Sequence, residues 1–199
     1  MPRYRKSSWR GFDPEAQRPA AQTAAVVAAG AAVRCRILGL DPGSVRTGYG
    51  LVECDGAAQR FIEAGCIRPP AGSQAQRLHY IHRTLAALVD THRPDEVAIE
   101  RVFVARNPDS ALKLGQARGV AMAAAVSQGA QLHEYAPRSV KLAVVGSGSA
   151  EKLQVAHMVK AMLGITQVLG LDATDALALA LCHAQSRRMA VLIGAVGGA

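Results

Sequence analysis

Four acidic residues stand at the ends of apolar segments that are far apart in the chain. Asp41 ends the run Ile37-Leu38-Gly39-Leu40 in "ILGLDPGSVRTGYGLV", Glu100 ends "DEVAIE", and Asp172 and Asp175 open the stretch "GLDATDALALALCHA". Carboxylates gathered at one point repel, so at least one would hold a proton unless cations lie between them. Hard oxygen donors of this kind suit Mg²⁺ or Mn²⁺ held jointly with a substrate phosphate. Two such ions about 4 Å apart can bind both the attacking water and the leaving oxygen of an in-line phosphodiester hydrolysis.

Each carboxylate also has an ordinary structural reading. An Asp before Pro42-Gly43 is a common turn former, and a Glu at a strand end is commonly just solvated. Asp172 can cap the helix it opens and add a favourable charge to its first turn. Asp175 is harder to place in this way. It follows Asp172 by three residues, on the same helical face. Its helix is apolar on nearly all sides, and no Lys or Arg occurs between Leu163 and Ala184 to pair with either residue.

The elements that must position these groups read as an α/β domain. Arg36–Asp41 is a buried strand, Thr47–Cys54 a second, and Gln59–Ile67 a third after the hairpin signal Asp55-Gly56. Pro69-Pro70 closes this antiparallel meander. A helix follows, with Leu78, Ile81, Leu85 and Leu88 at helical spacing behind the candidate cap Ser73. "DEVAIE" is a short strand, and "PDSALKLGQARGVAMAAAVSQG" a helix stopped by Gly129. Leu132–Ala136 is a brief strand, Pro137 starts another helix, and Gly146–Gly148 breaks the chain. "SAEKLQVAHMVKAML" resumes helix at about Ser149, and "LDATDALALALCHAQSRRM" is a long final one. The order predicts a mixed sheet of about five strands covered by helices. Ligand sites in such sheets lie beyond strand ends. If the first and fourth strands are neighbours, Asp41 and Glu100 converge.

Composition bounds the rest. With 199 residues, half of them hydrophobic and 19% charged, the chain is globular and long enough for one domain with a real core. A formal charge of +8 points to a polyanionic partner, nucleic acid first. Six Lys or Arg against Asp13 and Glu15 fall in residues 1–34, and residues 101–160 hold eight basic against three acidic side chains. Cys35, Cys54, Cys66 and Cys182 show no metal spacing and read as reduced structural thiols of a cytoplasmic protein. His79 and His82 share a helix face and read as surface residues. Residues 1–34 are basic and then Ala-rich, a flexible extension or translation from an upstream start. They imitate a secretory signal, and cleavage would leave a chain beginning near Cys35 outside the cytoplasm. Residues 35–189 form the domain, and 190–199 an apolar, glycine-rich tail.

The segments "RILGLDPGSVRTGYGLV", "VAIERVFVARNPDSALKLGQARG", "YAPRSVKLAVVGSGSAEKLQVAHMV" and "DATDALALALCHA" resemble the RuvC family of Holliday-junction resolvases, which are RNase H-like nucleases. In the family's order and spacing they cover nearly all of residues 36–185. The resemblance implies that Asp41, Glu100, Asp172 and Asp175 bind catalytic Mg²⁺ (or Mn²⁺), two ions per site, though some members carry His where Asp172 stands. It implies a homodimer that cuts four-way DNA junctions by paired symmetric nicks, and branch-migration partners RuvA and RuvB. The segment "GSGSAEK" is a glycine loop opening a helix with Lys152 in its first turn, a combination suited to a phosphate. The family implies DNA contact for Lys152 and Lys141, and stacking of Phe103 on an unpaired base. Arg118 is a further DNA-contact candidate that could equally pair with Glu134 or an active-site carboxylate. All have the ordinary alternative of surface or packing residues.

Three rivals differ in what they predict. An actin-like ATPase would need a second lobe with its own "LGLDPG"-like segment, and none occurs. A smaller RNase H-like family of RNA processing shares the Asp-Pro-Gly start, but the "DATDALALALCHA" helix argues for the resolvase. A non-catalytic junction-binding protein would bind DNA without any need for divalent ions.

Overall fold

The computed structural model describes residues 34–101 and 107–197. Strands β1 (Cys35–Asp41), β2 (Thr47–Asp55) and β3 (Ala58–Ile67) form the expected antiparallel meander. Helix α1 (Gln74–His92) leads to β4 (Glu96–Glu100), α2 (Pro108–Ala125) to β5 (Gln131–Tyr135), and α3 (Pro137–Val145), α4 (Lys152–Leu163) and α5 (Leu171–Gly197) complete the chain. The sheet order is β3-β2-β1-β4-β5. β4 runs parallel to both β1 and β5, so the first and fourth strands are indeed neighbours.

Period-two alternation sorts the side chains into two cores. Ile37, Val52 and Ala98 face α3, α4 and α5, packing with Val144, Val159, Leu177 and Leu181. Leu38, Leu40, Leu51, Val97 and Ile99 face α1 and α2, packing with Ile81, Leu85, Val89 and Ala121. The result is a helix–sheet–helix sandwich. Ser73 caps α1 as read from sequence, its hydroxyl accepting from the Gln76 N–H while the Gln76 side chain accepts from the Ser73 N–H.

The same alternation decides where the acids point. Cys35, Ile37, Gly39 and Asp41 share one face of β1, and Glu96, Ala98 and Glu100 share one face of β4; both are the α5 face. β1 and β4 are paired through Leu40↔Ile99. One step further, Asp41 and Glu100 leave adjacent strand ends on that face.

α5 lies unusually close to the sheet because the sheet is bare beneath it. Gly39 pairs with Gly50 across β1 and β2, and Asp41 with Gly48. A Cβ on Gly39 would stand 1.9 Å from the Ala176 carbonyl oxygen, and one on Gly48 2.0 Å from that of Asp172. Side chains of any kind there would lift the helix.

Three helix boundaries differ from the sequence reading. α2 ends at Ala125 with Val126 as its cap, short of the expected stop at Gly129. α4 begins at Lys152, not near Ser149, because Glu151 takes the cap position and its N–H donates to the Gln154 side chain. α5 continues to Gly197, through the division drawn at residue 189, since Met189–Ile193 are all compatible with helix. Among the described residues, no helix is long and apolar enough to cross a membrane.

Candidate active site

Asp41, Glu100 and Asp175 line one cleft of roughly 240 Å³ together with Lys141, Lys152, Pro137, Val140, Val155, Ala178 and Leu179. Three stretches of chain bring the acids here, the ends of β1 and β4 and the first turns of α5, while α3 and α4 supply the rest of the lining. That volume is small for an organic ligand and ample for ions with one phosphate.

The electrostatics are those of acids crowded on a half-dry surface. Burial pushes the Asp41 carboxyl up to about 7, reinforced by Glu100 and Asp175 and opposed by Lys152. Glu100 is raised by burial and by Asp175, against Lys152 and Lys141. Lys152 donates to Asp175 Oδ2 at 3.1 Å, and that bond raises its own pKa. Asp41, Glu100 and Asp175 offer an all-oxygen donor set with unbalanced negative charge, the chemistry that could hold hard divalent cations.

Asp172 sits differently. It lies in the first turn of α5, but its Oδ2 accepts from the Cys66 thiol at 3.4 Å and lies 3.8 Å from Arg46 Nη1. It does not line the cleft, although its charge still reaches Asp41. The reading of Asp172 as the helix cap fails on position, since α5 already begins at Leu171.

The basic candidates separate in the same way. Lys141 and Lys152 reach the cleft from α3 and α4. The helix start expected to seat a phosphate is displaced by three residues and capped by an acid, Glu151, so Lys152 turns toward the carboxylates. Arg118 pairs with Glu134 at 3.0 Å and its Nε donates to the Glu100 carbonyl at 3.3 Å. Phe103 lies outside the described residues.

Sequence reasoning missed the apolar wall (Val140, Val155, Ala178, Leu179) and the glycine bed under α5. The bed had a signal: Gly39, Gly48 and Gly50 stand at alternate strand positions, all on one face. It also missed Glu96, His133 and His183, which converge at the other end of β4. His79 and His82 are exposed, as read.

Comparison with known proteins gives one answer. Residues 37–183 match the family model of crossover junction endodeoxyribonuclease RuvC. The chain is 52% identical over 162 residues to that enzyme from Marinobacter nauticus, covering 81% of this chain and 93% of the relative. It is 50% identical over 161 residues to the enzyme from Hahella chejuensis, covering 81% and 94%. The solved structure of T. thermophilus RuvC in complex with Holliday junction substrate matches with a TM-score of 0.74 at 33% identity, covering 79% of this chain and 97% of that one. The yeast mitochondrial resolvase Ydc2 shares the fold at 14% identity and a TM-score of 0.54. An RNase H-like sheet with three acids converging where two parallel strands end, and a family match running through all of them, make this chain a member of the RuvC family of crossover junction endodeoxyribonucleases.

Proposed function

We propose that this protein resolves four-way DNA junctions in recombination and repair, by divalent-metal-assisted hydrolysis of phosphodiester bonds at the cleft of Asp41, Glu100 and Asp175. The observation that carries this is the meeting of those three carboxylates with Lys141 and Lys152 in one cleft at the strand ends. Support comes from family membership and from the likeness to T. thermophilus RuvC, which was solved in complex with Holliday junction substrate.

When bound, Mg²⁺ or Mn²⁺, in a pair, would lower the pKa of water and stabilise charge on the leaving oxygen. The chain's residues prepare that chemistry. Asp41 and Glu100 would hold the ions from adjacent rigid strand ends. Asp175 completes the set and orients the attacking water, with Asp172 adding negative charge from one helical turn away. Lys152 and Lys141 balance the carboxylates in the free protein and turn to phosphate when the strand arrives. Val140, Val155 and Leu179 exclude bulk water on one side, which strengthens every charge interaction in the cleft.

Paired nicks on a two-fold junction require two identical sites, so the working form is a C2 homodimer. Phe103 stacks on an unpaired junction base, RuvA and RuvB are the branch-migration partners, and the cytoplasm is the compartment.

The test is a synthetic four-way junction incubated with the purified chain, with and without Mg²⁺. Symmetric nicks only with Mg²⁺, lost in Asp41→Asn while junction binding persists, are expected. Binding unaffected by EDTA with no product under any divalent ion would make the protein a binding module instead.

A further inference from the structure

The end of β4 remote from the cleft carries a second group of metal-type ligands. Glu96 and Glu100 share one face of β4 and stand about 13 Å apart along it. His133 pairs with Ala98 from β5, which puts it on that face as well. His183 lies on α5 eight residues past Asp175, roughly 12 Å along the helix. One ligand atom from each of Glu96, His133 and His183 lies within 4.8 Å of the others.

Two features are unusual for a purely hydrogen-bonded core. Nε2 of His133 is buried and has no hydrogen-bond partner among the described residues, and orphaned buried nitrogens are uncommon because desolvation goes uncompensated. Its ring is nevertheless stacked on His183 at 4.2 Å between centroids, which holds the two imidazoles side by side. The other two groups carry outer contacts of their own. Nδ1 of His183 is bonded to the Tyr135 hydroxyl at 2.6 Å, the kind of outer contact that orients a ligating imidazole. Oε1 of Glu96 accepts from Arg187 Nε at 3.1 Å, which fixes the carboxylate with Oε2 against His183 Nε2.

We propose that Glu96, His133 and His183 form a second divalent-cation site, of zinc type, that ties α5 to β4 and β5 at the end of the sheet opposite the carboxylate cleft. Two imidazole nitrogens and one carboxylate oxygen match the borderline preference of Zn²⁺ or Co²⁺, and not the all-oxygen octahedron of Mg²⁺. On binding, the proton shared by His183 Nε2 and Glu96 Oε2 leaves to solvent and the ion takes its place between them, with His133 Nε2 as third ligand. The two ends of one strand–helix pair thus select different metals, one for chemistry and one for holding the frame.

The test uses the full chain carrying Asp41→Asn and Asp175→Asn, which disables the cleft. Zn²⁺ added to the metal-free protein is followed by calorimetry and thermal unfolding. One bound equivalent per chain and a higher unfolding temperature are expected. Adding His133→Phe keeps the stacked ring and removes both nitrogens, and should weaken zinc binding by at least about tenfold. No bound zinc, or equal binding with and without His133→Phe, overturns the proposal. In the otherwise unaltered chain, His133→Phe should leave Mg²⁺-dependent junction cleavage unchanged. A loss of cleavage there would assign His133 to the nuclease centre and overturn the second site as well.

Discussion

Gly39 lies so close under α5 that a Cβ added to it would stand 1.9 Å from the Ala176 carbonyl oxygen. Ala176 is the neighbour of Asp175, so the height of α5 over β1 and the distance of Asp175 from Asp41 are one quantity. Backbone cannot yield as a flexible side chain can. The missing side chain at Gly39 therefore helps set the geometry of the carboxylate cleft.

Gly39→Ala should lift the start of α5 and cost about 1–3 kcal/mol, the range for overpacking a filled core. Junction cleavage should fall at least tenfold, because the carboxylates separate. Gly115→Ala is the control. Gly115 lies within α2 with nothing among the described residues in reach of an added Cβ, and the change should stabilise by roughly 0.5–1 kcal/mol. Urea denaturation of both variants, with cleavage measured alongside, separates the two cases.

Asp41 should make the metal-free protein less stable as pH rises. Its carboxyl titrates at about 7 in the fold, against 3.8 ordinarily. Between those values the folded state keeps a proton that the unfolded chain has released. Stability from this group is therefore complete below about pH 4 and lost as pH climbs through 7. Unfolding followed in EDTA from pH 4 to 8 should show a decline on the order of 2–4 kcal/mol. Asp41→Asn should lack that part of the decline, and Mg²⁺ should restore stability to the unaltered protein at pH 8. A flat profile in EDTA would mean the carboxylates do not crowd one another.

Lys152→Ala should weaken junction binding and flatten its salt dependence by about one phosphate contact. It also removes the cation that opposes the rise in the Asp41 and Glu100 pKa values. The pH at which cleavage reaches half its maximum should accordingly move upward. Binding against salt concentration and rate against pH read the two effects separately.

Arg118→Ala should leave the salt slope of binding unchanged, in contrast to Lys152→Ala. Its guanidinium lies against Glu134 and the Glu100 carbonyl, so little of it is free for phosphate. The expected signature is a stability loss of roughly 1 kcal/mol, chiefly from the part-buried Glu100 carbonyl left without its donor, with a lower cleavage rate as Glu100 loses its support. A slope reduced by one contact would return Arg118 to the DNA surface.

Much of this was written in local patterns. Alternation of apolar residues, Asp-Gly and Pro-Gly turns and the Ser73 cap specify elements through backbone sterics and short-range hydrogen bonds, and these hold wherever the element sits. The carboxylates at segment ends were legible because an apolar run that closes on an acid is locally unusual. The outer boundaries were less so. Glu151 displaced the start of α4 by taking the cap, and the extent of α5 past residue 189 depended on helix propensity that a glycine-rich composition obscured.

What the chain alone determined, then, is which acids sit at the ends of which strands and helices. The tertiary structure decided which of them meet. Asp172 and Asp175 are equivalent by spacing, yet only Asp175 enters the cleft, while Asp172 turns to Arg46 and Cys66. That division depends on how α5 is rotated and how low it lies over Gly39 and Gly48, and such contacts join residues more than a hundred positions apart. The Glu96–His133–His183 group arises from the same packing at the other end of β4. Sequence spacing carries no trace of it, because a parallel strand pair and a helix crossing it bring together residues with no periodic relation.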